Sequence, residues 1–467
     1  MDRRKFLATG AMAGAGFMIV PRHVIAGSGM TPPSDRLNIA GIGVGGKGTS
    51  DVQKVADGNN IVALCDVDDV RGSENFNKFP KAKRYKDFRE MLDKEHKNID
   101  AVTVSTPDHM HYAIAMAAIK RGKHTFVQKP LTHTVEEARN LAKAARKHKV
   151  VTQMGNQGHG SEGARLINEW IWDGAIGDVT EVHAWTNRPI WPQDIPRPSE
   201  TPAIPPTLAW NLWLGVAPER PYHPAYVPFA WRGFWDFGTG ALGDMGAHIL
   251  DHPFWALGLE YPTDVQASST HFNEETYPLA EIITYHFPKR GKKPPVKLVW
   301  YDGGIKPERP KELEPGRQIG DNGVLYYGSK GVLMHSVYGN NPRLIPETRM
   351  QEYKRPEKTI PRSPGIHKEW TEACKGNGKT VGNFDYASKL TEMMLLGNVA
   401  VKTQYKNTVL KWDGPKMRFT NMDEANQYLS FKYRQHTRTD CIYSRNGIGA
   451  VIFAHHSHFA DMCALGR

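Results

Sequence analysis

The sequence predicts an α/β protein in two parts: a doubly wound parallel sheet, then an α+β domain built on a largely antiparallel sheet. Three observations carry this. From Leu37 to Gly155 short apolar runs alternate with helical stretches, the texture of a parallel sheet covered on both faces. Beyond Gly155 β-like runs follow one another across turns, which suits antiparallel pairing. A chain of 467 residues is also too long for one ordinary core.

The first residues stand apart from both domains. Arg3, Arg4 and Lys5 precede an apolar run from Phe6 to Val20, and Val24-Ile25-Ala26 supplies a small-residue cleavage pattern. That run is short for a membrane span and has the shape of a signal peptide, assigned to residues 1–26. Paired arginines before Phe6-Leu7 resemble a twin-arginine signal, which exports proteins already folded. A periplasmic or otherwise exported protein is therefore expected, with no stable membrane span. Residues 27–35, "GSGMTPPSD", read as a turn-rich linker.

The first domain is expected over 36–155. "LNIAGIGVGG" is a strand running into glycines; "NIVALCDVDD", "IDAVTVSTP", "HTFVQKP" and "KVVTQMGN" are further strands. Helical stretches lie between them, from Asp108 to Arg121 and in "VEEARNLAKAARKHK". The second domain is expected over 156–430. It opens with the amphipathic "SEGARLINEWIWDGAIG" and continues with "DVTEVHAWTN", "TDVQASSTHF", "AEIITYHFP" and "VKLVWYDGG" as strands. Pro189 to Pro228 reads as a long ordered loop rich in Pro and Trp, and "HKEWTEACKG" and "SKLTEMMLLGNVAVKT" as late helices bracing the domain. Residues 431–467 lack periodicity and are read as an irregular tail without function, despite "HHSH".

Composition excludes several functions. Hydrophobic content of 40% and charged content of 23% are those of a soluble globular protein. The net charge of +11 does not signal nucleic-acid binding, because basic residues are interspersed with acids. The densest run, Lys289 to Pro295, reads as a hairpin tip. Four cysteines make no disulfide framework; Cys65 and Cys374 are expected as buried free thiols. Serine-hydrolase and zinc motifs are missing, so no metal is expected.

Gly41-Ile42-Gly43-Val44-Gly45-Gly46 gives G-x-G-x-x-G between a strand and a helix. Gly41 allows the tight turn, Gly43 lets backbone approach a pyrophosphate, and Gly46 is assigned to close helix–strand packing. The helix N-terminus offers free N–H groups to phosphates. Asp66 ends the second strand about twenty residues on, where a carboxylate can accept from ribose hydroxyls and repel a 2′-phosphate. The domain is thus read as a Rossmann-type dinucleotide-binding fold that takes NAD.

With that loop, "STPDHMH" (Ser105–His111), Gln128-Lys129-Pro130 and "WRGFWDFGTGALGDMGAHILDH" (Trp231–His252), the chain resembles the Gfo/Idh/MocA oxidoreductases over roughly residues 36 to 430. The resemblance implies a second domain with an open sheet that often mediates oligomers, so a homodimer or tetramer is expected. It also implies that Lys129 lies beside the nicotinamide and the substrate hydroxyl, with Asp244 and His248 as the distal catalytic pair. Their spacing of four places both on one helical face. Neutral imidazole suits the base, a lysine stabilises an alkoxide, and Asp244 would hold a neighbouring hydroxyl. On their own, Asp244 and His248 fit a helix cap and a packed histidine equally well.

Thr106, Pro107 and His111 match the family's loop over the cofactor, although Pro107-Asp108 also reads as a turn and helix cap. Arg232 suits a cofactor or substrate contact and a structural ion pair equally. Trp231 and His159 are candidates for substrate contact. Trp185, Trp191, Trp210, Trp213 and Trp235 crowd one region; most are expected in the core, with one or two lining the site. Gln128 stands where the family usually carries a glutamate. It is expected to remove a negative charge from beside Lys129, easing proton relay and weakening the ammonium's anchoring.

The leading functional expectation is an exported NAD-dependent oxidoreductase acting on a secondary hydroxyl of a sugar or glycoside, with its cofactor tightly bound and recycled. The alternative is an NAD-dependent glycosidase or lyase working by transient C3 oxidation and elimination. A non-catalytic sugar-binding protein comes third.

Overall fold

The computed structural model describes residues 35–434. The expected leader, the linker up to residue 34, and the chain beyond 434 with Cys441 and Cys463 lie outside them. The first half is a six-stranded, wholly parallel sheet in the order β3-β2-β1-β4-β5-β6. Its elements are β1 (Asn38–Ile42), α1 (Lys47–Val55), β2 (Asn60–Cys65), α2 (Asp69–Lys78), β3 (Lys83–Tyr85) and α3 (Phe88–Glu95). β4 (Ala101–Val104), α4 (Asp108–Lys120), β5 (His124–Val127), α5 (Val135–His148) and β6 (Thr152–Met154) complete it. Central strands are buried on both faces, and therefore read as unbroken apolar runs.

Register brings the strand ends level. Ile42 pairs with Cys65 and with Val104, Val104 with Val127, and Val127 with Met154. The loops that follow therefore leave one edge of the sheet: Gly43–Gly46, Asp66, Ser105–Pro107, Gln128–Lys129 and Gly155–Asn156. Ligands of such sheets bind at this carboxyl edge, where the strand order reverses.

The second half adds α6 (Glu162–Trp172), β7 (Val179–Trp185), α7 (Trp210–Leu214), α8 (Gly240–Ile249) and α9 (Asp251–Ala256). β8 (Asp264–Ser269), β9 (Glu281–Phe287), β10 (Val296–Tyr301), β11 (Gly323–Gly328), β12 (Gly331–His335) and β13 (Arg343–Ile345) follow. Then come α10 (Glu347–Glu352), α11 (Ile366–Cys374), α12 (Phe384–Thr403), β14 (Leu410–Asp413) and β15 (Arg418–Phe419). Nine strands form one mixed sheet, β13-β12-β11-β7-β10-β9-β8-β14-β15. All its pairs are antiparallel except β7 with β10. The basic run from Lys289 does turn the β9–β10 hairpin, with Arg290 bridging Lys293.

The late helices do more than brace the second half; they return to the first. Arg139 of α5 holds Glu392 of α12 through Nε and Nη2, each 2.7 Å from a carboxylate oxygen. Leu131 N donates to Thr391 Oγ1 at 3.3 Å. Residues 431–434, assigned to the tail, also dock on this side: Tyr433 Oη donates to Glu137 Oε1 at 2.6 Å. Cys65 is buried and Cys374 half-buried, both as free thiols. Among the described residues no helix is long and apolar enough to cross a membrane.

Candidate active site

A cleft of ≈ 730 Å³ opens at the carboxyl edge of the parallel sheet, of a size to take a cofactor or small ligand. Its walls include Gly43, Gly46, Asp66, Ser105, Thr106, Pro107, Gln128, Lys129, Trp231 and Arg232. The glycine loop fits a dinucleotide. Gly43 has φ +73°, and a Cβ there would lie 2.8 Å from the Ser105 carbonyl. Gly46 caps α1 without any side-chain hydrogen bond, and no acidic residue sits in the first turn; Gly48 N and Thr49 N turn back to the Gly45 and Gly46 carbonyls, which leaves Gly46 N and Lys47 N to meet phosphate oxygens. Close packing of helix on loop falls instead to Gly48, where a Cβ would meet the Gly43 carbonyl oxygen at 1.8 Å. Thr106 Oγ1 is buried at the cleft wall without a hydrogen-bond partner, a group that a seated nucleotide can satisfy.

Asp66 organises this loop as well as lining it. Its Oδ2 accepts from Val44 N (2.9 Å) and Gly45 N (3.0 Å), and its Oδ1 from Asp68 N (3.0 Å). Burial raises its pKa, opposed by those three amides.

Lys129 and Asp244 meet across the two halves of the chain. Lys129 Nζ lies 2.5 Å from Asp244 Oδ1 and 3.0 Å from the Asp244 carbonyl oxygen. Arg232 Nε adds a second donor to Asp244 Oδ1 at 3.3 Å. The Arg232 guanidinium itself is stacked over Trp231 (4.2 Å) and Phe229 (4.5 Å). Burial works to raise the Asp244 pKa, but the charges of Lys129 and Arg232 outweigh it and hold the carboxyl at about 2.

His248 sits one helical turn beyond Asp244 on α8, buried behind the cleft wall. Its Nδ1 faces Asn156 Oδ1 at 3.2 Å, and Asn156 Nδ2 donates to the Ala247 carbonyl at 2.6 Å. That second bond fixes the amide, so Nδ1 carries the hydrogen and Nε2 the lone pair. Burial first, then the Lys129 charge, push the His248 pKa well below its ordinary value, so the ring is neutral.

The other candidates divide. Thr106, Pro107, Gln128, Trp231 and Arg232 line the cleft, as does Trp213 among the crowded tryptophans; Trp185, Trp191, Trp210 and Trp235 are core. His111 does not reach it. Both its ring nitrogens face backbone carbonyls, Pro130 O and Thr106 O, at 2.8 Å, so it ties the two loops together from behind. His159 is also turned away: Nδ1 lies 2.9 Å from both Asp251 oxygens and the ring stacks on Trp255 at 4.4 Å. Asp251 is a buried acid that needs a donor there, which explains the orientation.

Gln128 does not leave Lys129 short of negative charge nearby. Its Nε2 donates to the buried carboxylate of Asp51 on α1 at 2.7 Å, and Asp244 stands against the ammonium itself. Asp108, taken for a cap, is a further acid in the cleft wall. It accepts from Thr239 Oγ1 at 2.7 Å, and burial lifts it to about 7 against that bond and the Arg232 and Lys129 charges. Asp51 and Asn156 carried no sequence signal, since neither belongs to a motif.

Residues 36–156 match the NAD-binding Rossmann-fold domain of an oxidoreductase family, and residues 180–290 match the C-terminal alpha/beta domain of the same family. The chain belongs to the Gfo/Idh/MocA oxidoreductases. Its first domain is accordingly an NAD-binding Rossmann domain. Levoglucosan dehydrogenase of Pseudarthrobacter phenanthrenivorans is 27% identical over 172 residues, 37% of this chain and 36% of that enzyme. A glycosyl hydrolase family 109 protein of Shewanella pealeana is 28% identical over 38% of this chain and 44% of its own length. The scyllo-inositol 2-dehydrogenase (NADP(+)) of Bacillus subtilis is 25% identical over 50% and 53%. The chain therefore spans about a third to a half of the length of these curated relatives. In fold, the WlbA dehydrogenase of Bordetella pertussis, solved with NADH and UDP-GlcNAcA, aligns with a TM-score of 0.57 at 14% identity. That alignment covers 81% of this chain and 99% of WlbA.

Proposed function

We propose that this protein is an exported oxidoreductase that uses bound, recycled NAD to oxidise a secondary hydroxyl of a sugar or glycoside. One observation carries the reading: the Lys129–Asp244 pair, 2.5 Å apart, stands where the glycine-loop cleft meets the second domain. When bound, NAD supplies the hydride acceptor. The chain's residues manage the proton and the charge. Asp244 keeps Lys129 in place, and the ammonium stabilises the alkoxide as the carbinol O–H loses its proton. We assign that proton to His248 Nε2, held as the lone-pair nitrogen by Asn156, which requires the hydroxyl to pass behind the wall that Lys129 lines. The second Asp244 oxygen is left to accept from a neighbouring hydroxyl. Asp66 favours NAD over NADP, because its buried carboxylate would face a 2′-phosphate.

Dehydrogenases among the curated relatives support a polyol or sugar substrate. The Arg3-Arg4 leader supports export, which in turn favours a cofactor that stays bound. A second copy seated on the open sheet suits a dimer or tetramer, to be read by light scattering. The deciding experiment purifies the mature protein, releases its nucleotide by denaturation, and then scans a sugar panel against the holoprotein for NADH absorbance. An empty protein that binds no added NAD would end this reading.

The similarity to a glycosyl hydrolase family 109 protein favours a second use of the same site. Oxidation at C3 acidifies the C2 proton, elimination expels the aglycone, water adds, and the ketone is reduced again. Release of a chromogenic aglycone without net NAD consumption would identify it.

A further inference from the structure

Asp51 is wholly buried on α1 and does not line the cleft, yet four side chains from four parts of the fold converge on it. Lys47 Nζ and His367 Nε2 (2.8 Å) meet Oδ1. Ser105 Oγ (2.9 Å) and Gln128 Nε2 (2.7 Å) meet Oδ2. A carboxylate has about four acceptor positions, so the site is filled. Three of the donors line the cleft, Lys47 at the start of α1 and Ser105 and Gln128 on its loops, and Lys129 is the next residue.

The Gln128 amide has little freedom. A Cβ on Gly155 would sit 2.6 Å from its Nε2, so that backbone is packed against the amide face. Its Oε1 lies 3.4 Å from Lys129 N, which leaves Nε2 as the end that reaches Asp51. A carboxylate at position 128 would confront the Asp51 carboxylate at hydrogen-bond distance. Burial raises the Asp51 pKa, but the His367 bond and the Lys47 charge and bond bring it below its ordinary value, so the acceptor is ionised.

We propose that Asp51 is the positioning residue for the reacting end of the cleft, its single carboxylate setting the Ser105 and Gln128 loops and thereby the reach of Lys129 to Asp244. This rests on the reading of Lys129 and Asp244 as the reacting pair. His367, stacked on Phe126 at 5.0 Å, extends the anchor to α11, so the C-terminal part of the chain shares in placing the lysine.

A charge-swap cycle tests it with four holoproteins: wild type, Asp51→Asn, Gln128→Glu, and the two together. In the double variant the amide introduced on α1 donates to the carboxylate introduced beside Lys129, so the bond is reversed and the charge kept. Each single variant is expected to weaken NADH affinity, read by fluorescence titration, and to lower kcat on an accepted sugar, each about tenfold or more. The double variant is expected within about threefold of wild type on both. Losses in the double that equal the product of the single losses would overturn the proposal, as would a Gln128→Glu protein with wild-type affinity and kcat. NADH affinity decides the question without turnover. A wild type that binds NADH but oxidises no sugar would sink the functional reading and leave this cycle to be judged alone.

Discussion

Lys129→Met keeps the length of the side chain and removes only the ammonium. Asp244 is 15% exposed, and the change leaves it with Arg232 Nε at 3.3 Å as its remaining charged donor. In the wild type its carboxyl is depressed from 3.8 to about 2 despite a burial effect that opposes the shift. That difference corresponds to roughly 2 kcal/mol of net stabilisation. Losing the lysine also uncovers the burial penalty, so the expected cost is about 3 kcal/mol, at the lower end for stranding one member of a buried pair. The sign follows from the depressed pKa: the stabilisation is complete above the ordinary carboxylate range and lost as pH falls through about 2. At neutral pH the variant therefore feels the whole loss. Adding Asp244→Asn removes the stranded carboxylate and should return most of the stability but none of the activity. Urea melts of the four proteins of this cycle measure the first, and NADH formation on an accepted sugar the second. A kcat about 10³-fold lower for Lys129→Met is expected, because the charge on the developing alkoxide is gone. A Lys129→Met protein within about threefold of wild type, or a double variant no more stable than the single, would refute the reasoning.

Four more outcomes follow from the same geometry. Asn156→Leu frees the His248 tautomer, and kcat should fall about 10²-fold while NADH affinity holds; steady-state kinetics and fluorescence titration separate the two. Gly48→Ala drives a Cβ into the Gly43 carbonyl, so nucleotide affinity should collapse and thermal stability fall by about 2 kcal/mol or more. Burial lifts Asp302 to about 7 and also raises Glu281, so the native pair keeps a proton that the unfolded chain sheds. Stability from Asp302 is then full below about pH 4 and declines towards about pH 7; denaturation across pH should show the slope, and Asp302→Asn should reduce it. Arg139→Met strands Glu392 between α5 and α12, and urea melts should report about 3 kcal/mol lost.

The central strands were legible because burial on both faces makes them continuous apolar runs. β3 was not: as "KRY" it is a short edge strand with two of its three residues exposed. β11 to β15 were passed over because each is short: β11 (GVLYYG) and β12 (GVLMH) hold only four and three consecutive apolar residues, and β13 (RLI), β14 (LKWD) and β15 (RF) fewer still. Nothing local distinguishes the parallel β7–β10 pair from its antiparallel neighbours, since alternation along a strand is the same in both. In the site, Lys129, Asp244 and His248 could be named because strand end and helical spacing are themselves local signals. His111 and His159 were misleading for the opposite reason. A histidine beside a motif says nothing of which way its ring turns, and backbone carbonyls or a buried acid claimed both.

Asp51 shows what kind of information a sequence withholds. Its partners Ser105, Gln128 and His367 lie 54, 77 and 316 positions away, so no window of sequence contains the interaction. The same holds around the lysine loop. Lys129 reaches Asp244, Leu131 reaches Thr391, and Arg139 reaches Glu392, all from the one stretch that runs from the end of β5 into α5. That segment is thus fastened at several points to elements of the second half, whereas the direct contacts of the glycine loop are with Asp66 and Ser105 in the first half. Lysine placement therefore leans more directly on the second half than the glycine loop does. Damage to α12 should reach catalysis through the Lys129–Asp244 distance before it reaches cofactor affinity, and Asp51, bonded to Ser105, on which Gly43 packs, and to Gln128 beside the lysine, is where the two requirements meet.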